Sequence, residues 1–245
     1  MVNEPRNEKN LRSEVAKLHE PASLSWIVRN VDGWLTRREG RFLFRVAKTC
    51  DATSAIVEIG SLRGRSTICL ASGSLAGNGA RVYAIDPHAK GTFEVLRDNL
   101  ALAGVSDVVE PIMATSAEAY MGWARPIGVL FIDGSHEFED VLQDYLDWSQ
   151  HLVDGGIIAF HDSTACLRYG WGGYDDVRRV VNRHILGSTR FRRIGLVDTV
   201  TYGVCGPRAS PGGRVLNAEV RLRKVLWDLV VIAKARMPGG GRARR

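Results

Sequence analysis

The chain has four cysteines, Cys50, Cys69, Cys166 and Cys205, and none of them forms a Cys-x-x-Cys pair, which argues against zinc ribbons and dithiol redox chemistry. It also lacks a membrane-length apolar run: the late stretch "VLWDLVVIAKA" is broken by Asp228 and Lys234 and falls short of the ~20 residues a span requires. No apolar signal-peptide core occurs near the N-terminus, so a reducing cytoplasm is the expected location. Lysine is scarce. The net charge of +6 rests on arginines that crowd the C-terminus ("RLRK", then "GGGRARR") rather than an aromatic-studded surface, so no nucleic-acid partner is expected and the tail reads as solvated. At 245 residues the chain can bury the core of one large domain.

Glycine is plentiful, and its placement in "VEIGSLRGRST" (residues 57–67) matters most. An apolar run that turns sharply into a helix uses glycine for conformations a Cβ would block, and the exposed helix N–H groups then favour a polar or anionic guest. Two familiar loops do not fit. A P-loop needs four residues between its glycines and a following Lys-Ser/Thr, whereas only three residues separate Gly60 from Gly64 and Arg65 follows. The dinucleotide fingerprint fails because Leu62 occupies its second glycine position. The remaining pattern, acid-x-Gly-x-x-x-Gly, resembles the first motif of class I S-adenosylmethionine-dependent methyltransferases, which implies cofactor contacts from Glu58, Gly60, Gly64 and the nearby Ser66. Arg65 either meets the cofactor carboxylate or is solvated.

Residues 23–50 show apolar positions at helical spacing, broken by Gly33 and Gly40, and predict a helical cap over residues 1–45. Across 46–206, short apolar runs ("AIVEIG", "RVYAID", "VVEPIMA", "IGVLFID", "GGIIAFHD") alternate with helical stretches, as parallel βαβ units do. The segment "RRIGLVDTVTYGVCG" predicts two closing strands around Asp198. The expected fold is therefore α/β: a Rossmann-like, doubly wound, mostly parallel seven-stranded sheet with a terminal antiparallel hairpin. Residues 207–245 predict an arginine-rich amphipathic helix, packed on the core or on another subunit of a homo-oligomer, followed by the basic tail.

In such a sheet, ligands sit beyond the carboxyl ends of the strands. The second run ends at Asp86, an acid placed to accept ribose hydroxyls or else an Asp-Pro turn residue; the third is followed by Ser116. The fourth ends at Asp133 and the fifth at His161 and Asp162. Carboxylates on adjacent strand ends, roughly 4.8 Å apart, repel unless a cation lies between them. Hard oxygen donors suit Mg²⁺. His161 would favour a softer ion such as Mn²⁺ or Fe²⁺ if it ligates rather than turning away. His136, three residues past Asp133, is the candidate general base, since imidazole takes a proton near neutral pH. Tyr169, Trp171 and Tyr174 follow the fifth run and either receive a sugar face or anchor their loop on the core.

Together, "VEIGSLRGRST", "YAIDPH", "FIDGSHEFEDVLQDYLDWSQHLVDGGIIAFHD" and "GWLTRREGRFLFRVAK" resemble the family of metal-dependent sugar O-methyltransferases and cephalosporin-hydroxylase-like proteins over residues 30–206. The resemblance implies Mg²⁺ on Asp133 and the His161–Asp162 pair, deprotonation of the acceptor by His136, and a sugar or oligosaccharide substrate, of which the 1-hydroxyl of a short mannoside is the closest suggestion. It departs at position 161, where relatives carry Glu. Three other readings stay open: methylation of a phenol, catechol or polyketide sugar; an iron oxygenase using His136, His161 and an Asp, which would leave Glu58 and Asp86 without a task; and a noncatalytic polyanion-binding protein.

Overall fold

The computed structural model describes residues 27, 30–165, 174–206 and 210–235. The aliphatic runs become strands, the central ones buried on both faces as parallel strands covered by helices must be, the edge one partly exposed. They are β1 (Ala55–Ile59), β2 (Val82–Asp86), β3 (Val109–Met113), β4 (Ile127–Ile132) and β5 (Leu152–Phe160). With β6 (Phe191–Val197) and β7 (Val200–Cys205) they form a seven-stranded sheet in the order β3-β2-β1-β4-β5-β7-β6. All neighbours are parallel except β7, which runs antiparallel to β5 and β6. The chain reverses its direction of travel between β1 and β4, which leaves a crevice above their carboxyl ends.

Helices α1 (Arg37–Lys48), α2 (Arg65–Leu75) and α3 (Phe93–Leu102) accompany one buried apolar cluster. The short α4 (Ser116–Tyr120), α5 (Phe138–Trp148) and α6 (Asp175–Val181) accompany the other. Gly40, expected to interrupt the first helix, lies inside α1, where a Cβ would come 3.2 Å from Cys69 Sγ. Small residues let α1 and α2 cross closely: a Cβ on Gly73 would stand 2.2 Å from the Phe44 carbonyl oxygen. The helix also crosses the expected cap boundary at residue 45, so this part of the cap is continuous with the core.

The last helix, α7 (Pro211–Ala235), turns its polar side inward. Asn217 Oδ1 accepts from Ile194 N–H at 2.9 Å, and fully buried Lys224 donates to Asp228 at 2.7 Å. Asp228 accepts Ala165 N–H at 2.9 Å, while Trp227 Nε1 donates to the Ala165 carbonyl at 2.7 Å. Leu222, Leu226 and Leu229 face outward. An amphipathic pattern alone would place these leucines on the core; here the backbone groups of Asn217's partners and of Ala165 claim the inner face instead. Among the described residues, no helix is long and apolar enough to cross a membrane.

Candidate active site

The crevice opens into a cavity of about 1560 Å³ lined by Gly60, Asp86, Ser116, Asp133, His136 and Tyr174, among others. One side is shaped by backbone. Gly60 and Gly64 adopt φ values of 92° and 89°, and a Cβ on Gly60 would fall 2.2 Å from the Asp133 carbonyl oxygen, so only glycine fits between β1 and β4. Asp86 lies at the end of β2, with Oδ2 accepting Leu62 N–H at 2.9 Å and Oδ1 accepting His88 N–H at 2.7 Å. Each oxygen keeps acceptor capacity beside the cavity. Ser61 Oγ and His88 Nε2 are buried without hydrogen-bond partners, and both residues line the cavity.

Several expected cofactor residues act at one remove. Glu58 is fully buried beneath the loop and is absent from the cavity wall; it accepts from Thr67 Oγ1 at 2.5 Å. Burial pushes its carboxyl up to about 8, against the pull of hydrogen bonds from Ser66 and Thr67. Arg65 donates to the carbonyls of Val31 at 2.6 Å, Gly33, and Leu35 at 3.2 Å, tying the segment before α1 to the loop. Ser116 lines the cavity and donates to buried Asp144, whose carboxyl burial raises to about 6.

Asp133, His136 and Asp162 come together across the ends of β4 and β5, with one ligand atom from each lying within 4.8 Å of the others. Main-chain bonds continue the ladder into the site: Asp133 N–H donates to Ile59 O at 2.8 Å and His161 N–H to Ile132 O at 3.0 Å. Asp162 adopts a φ of 51°, a left-handed conformation that Asp tolerates better than most residues. His136 Nε2 stands 3.4 Å from Asp162 Oδ2, and its ring lies against Tyr174 with centroids 3.7 Å apart. Tyr169 and Trp171 lie outside the described residues.

The group able to hold a metal ion comprises Asp133, His136 and Asp162; His161, expected as a ligand, lies against both carboxylates and lines the same cavity. His161 is itself buried. Its Nδ1 lies 3.0 Å from Asp133 Oδ1 and 3.5 Å from Asp162 Oδ2, and its Nε2 makes an ion-pair contact at 3.5 Å with Glu39 Oε2. Burial alone would lower the imidazole, but Asp133, Asp162 and Glu39 overcome it and hold His161 well above its usual range. Burial likewise opposes ionisation of Glu39 and Asp162. Contacts with His161 nevertheless lower Glu39, and hydrogen bonds from His136 and His161 hold Asp162 at about 2. Asp133 is raised, burial outweighing the attraction of His161. When ionised, the three carboxylates against one imidazolium leave two uncompensated negative charges, a balance that a dication would close.

Glu39 and His88 are site residues that motif spacing did not reveal. His88 stands two residues past Asp86 in "IDPH", a legible position at a strand end. Glu39 is recognisable as the third residue of a capping box with Thr36, but nothing local shows that it reaches the site.

The chain has the Rossmann-like methyltransferase fold. Residues 57–163 match a family described as a methyltransferase domain. A catechol O-methyltransferase of Mycobacterium tuberculosis is 33% identical over 130 residues, which cover 53% of this chain and 56% of the relative, so the chain spans about half the length of that curated relative. Among solved structures, cofactor-bound Rv0187 from MTB superposes with a TM-score of 0.59 at 22% identity, covering 84% of this chain and 100% of that one. The O-methyltransferase TomG from Streptomyces achromogenes, solved with SAM, gives 0.57 at 19% identity, covering 84% and 92%.

Proposed function

We propose that the protein is an S-adenosylmethionine-dependent O-methyltransferase acting on one hydroxyl of a vicinal diol, with a divalent cation, Mg²⁺ or Mn²⁺, at Asp133 and Asp162. The observation that carries this reading is the Asp133–His136–Asp162 cluster standing beside a glycine loop and a strand-end acid in one cavity.

Asp86 would accept the ribose hydroxyls, and the Gly60–Gly64 turn would pass under the cofactor, with Glu58 bracing it through Thr67. When bound, S-adenosylmethionine supplies an electrophilic sulfonium methyl, and the dication makes a hydroxyl oxygen easier to deprotonate. Asp133 and Asp162 would offer oxygens for that ion, with His161 against both carboxylates. His136 would receive the hydroxyl proton on an imidazole nitrogen, leaving the acceptor oxygen free to attack the methyl that the cofactor would supply. The remaining walls fix donor and acceptor against each other, a contribution of up to ~7–11 kcal/mol in model systems.

For the acceptor, the residues resembling sugar O-methyltransferases support a sugar diol such as that of a short mannoside, with Tyr174 beside His136 as an aromatic wall. A second reading, a catechol, is favoured by the name of the curated relative. Methyl transfer from labelled S-adenosylmethionine to short mannosides and to catechol, followed by mass spectrometry with and without EDTA, tests both. Product formation that EDTA stops and Mg²⁺ restores is expected. Full turnover in EDTA would overturn the dication assignment, and oxygen consumption restored by Fe²⁺ alone would replace methyl transfer with oxygenation.

A further inference from the structure

The back of the acidic cluster is supplied by a helix that precedes the sheet. Glu39 is fully buried, and a buried carboxylate must be compensated. Its Oε2 accepts Thr36 N–H at 2.8 Å, closing the capping box of α1. Its Oε1 accepts Thr199 N–H at 2.8 Å and Thr199 Oγ1–H at 2.6 Å, in the β6–β7 turn. Its remaining neighbour is His161, 3.5 Å away, whose opposite nitrogen faces Asp133 and Asp162. Glu39 itself does not line the cavity. One imidazole therefore stands between a carboxylate locked in the core and two that face the ligand space.

Building on the dication reading above, we propose that Glu39 and His161 are a positioning pair: Glu39 fixes the ring of His161, and His161 sets the placement of Asp133 and Asp162. Two carboxylates on neighbouring strand ends push apart, and a donor held rigidly behind them limits where they can go. Loss of a partner that orients metal ligands typically weakens metal affinity 10–100-fold. A Glu39 that served only to cap α1 would affect folding stability without changing the affinity of a correctly folded site.

Mn²⁺ binding to the full chain, measured by calorimetry and by the electron paramagnetic resonance signal of free Mn²⁺, tests the pair alongside S-adenosylmethionine affinity and thermal midpoint. Glu39→Gln and His161→Gln are each expected to weaken Mn²⁺ binding by about 10–100-fold while cofactor affinity holds. The double variant should bind no more weakly than His161→Gln alone, because the two residues act in series. Thr36→Ala, which removes the side-chain cap but leaves the Thr36 N–H on Glu39, should keep wild-type Mn²⁺ affinity. Wild-type affinity in Glu39→Gln, additive losses, or an equal loss in Thr36→Ala would overturn the proposal. If Glu39→Gln does not fold, His161→Gln carries the test, since it keeps the bonds of Glu39 to Thr36 and Thr199; wild-type affinity there would overturn the pair. Asp133→Asn separates the two levels. If it binds Mn²⁺ as wild type does, or wild type binds none, the dication reading fails and the pair fails with it; a loss confined to Asp133→Asn refutes the pair alone.

Discussion

The loop expected to face the cofactor is made from one continuous segment, Ile59–Arg65, whereas the acidic cluster draws on α1, β4, β5 and the turn after β4. The first half is shaped largely by backbone, with two glycines at positive φ and an acid that accepts main-chain N–H groups. The second half is shaped by side-chain charge, with carboxylates held by an imidazole that a distant helix supports. A backbone site depends on local conformation and tolerates changes in charge nearby. A charge-built site fails when a single partner is removed, because each buried group counts on the others.

Substitutions that act on one half alone test this contrast. The largest effect is expected from Asp162→Ala. Losing dication assistance worth several kcal/mol lowers turnover by on the order of 10³-fold or more, while S-adenosylmethionine affinity measured by calorimetry stays unchanged. Cofactor affinity that fell equally would mean that the two halves are one. His136→Ala should lower kcat ~10²–10⁴-fold with cofactor affinity, Mn²⁺ affinity and thermal midpoint nearly unchanged. A drop in Mn²⁺ affinity would make His136 a ligand instead of the base. On the other half, Asp86→Ala should weaken cofactor binding by roughly 1.5–3 kcal/mol, the range for a charged hydrogen-bond partner, and leave Mn²⁺ affinity intact.

The smallest effect concerns stability. Glu58 has its folded-state carboxyl raised from 4.5 to about 8, so the folded protein holds a proton there that the unfolded chain releases. Its contribution is therefore most favourable below about pH 4.5 and is lost as pH rises toward about 8. Glu58→Gln should flatten that decline in denaturant-melt stability over the same window. An unchanged slope would show that Glu58 is ionised in the fold.

The same contrast explains what could be read from the chain. The strand and helix alternation, the glycine turn and the strand-end acids are written in contiguous residues, because burial on both faces and positive φ leave local marks. The continuity of α1 through Gly40 was not legible, since that glycine serves packing against Cys69 rather than a turn. Nor was the meeting of His136 with the two carboxylates, or the contact of His161 with Glu39: both histidines follow strand ends, and Glu39 belongs to a distant helix. The inward polarity of α7 escaped for a related reason, because its partners, Ile194 and Ala165, belong to distant segments.

The tight fit of Gly60 against the Asp133 carbonyl has a consequence for every experiment on this cavity. The two halves share a partition with no room for an added methyl group. Gly60→Ala would need to displace β4 as well as the turn, and Asp133 would move with it. Position 60 is thus a hinge pin between a nucleoside seat and an ion seat, and any lesion there will be felt on both sides of the wall.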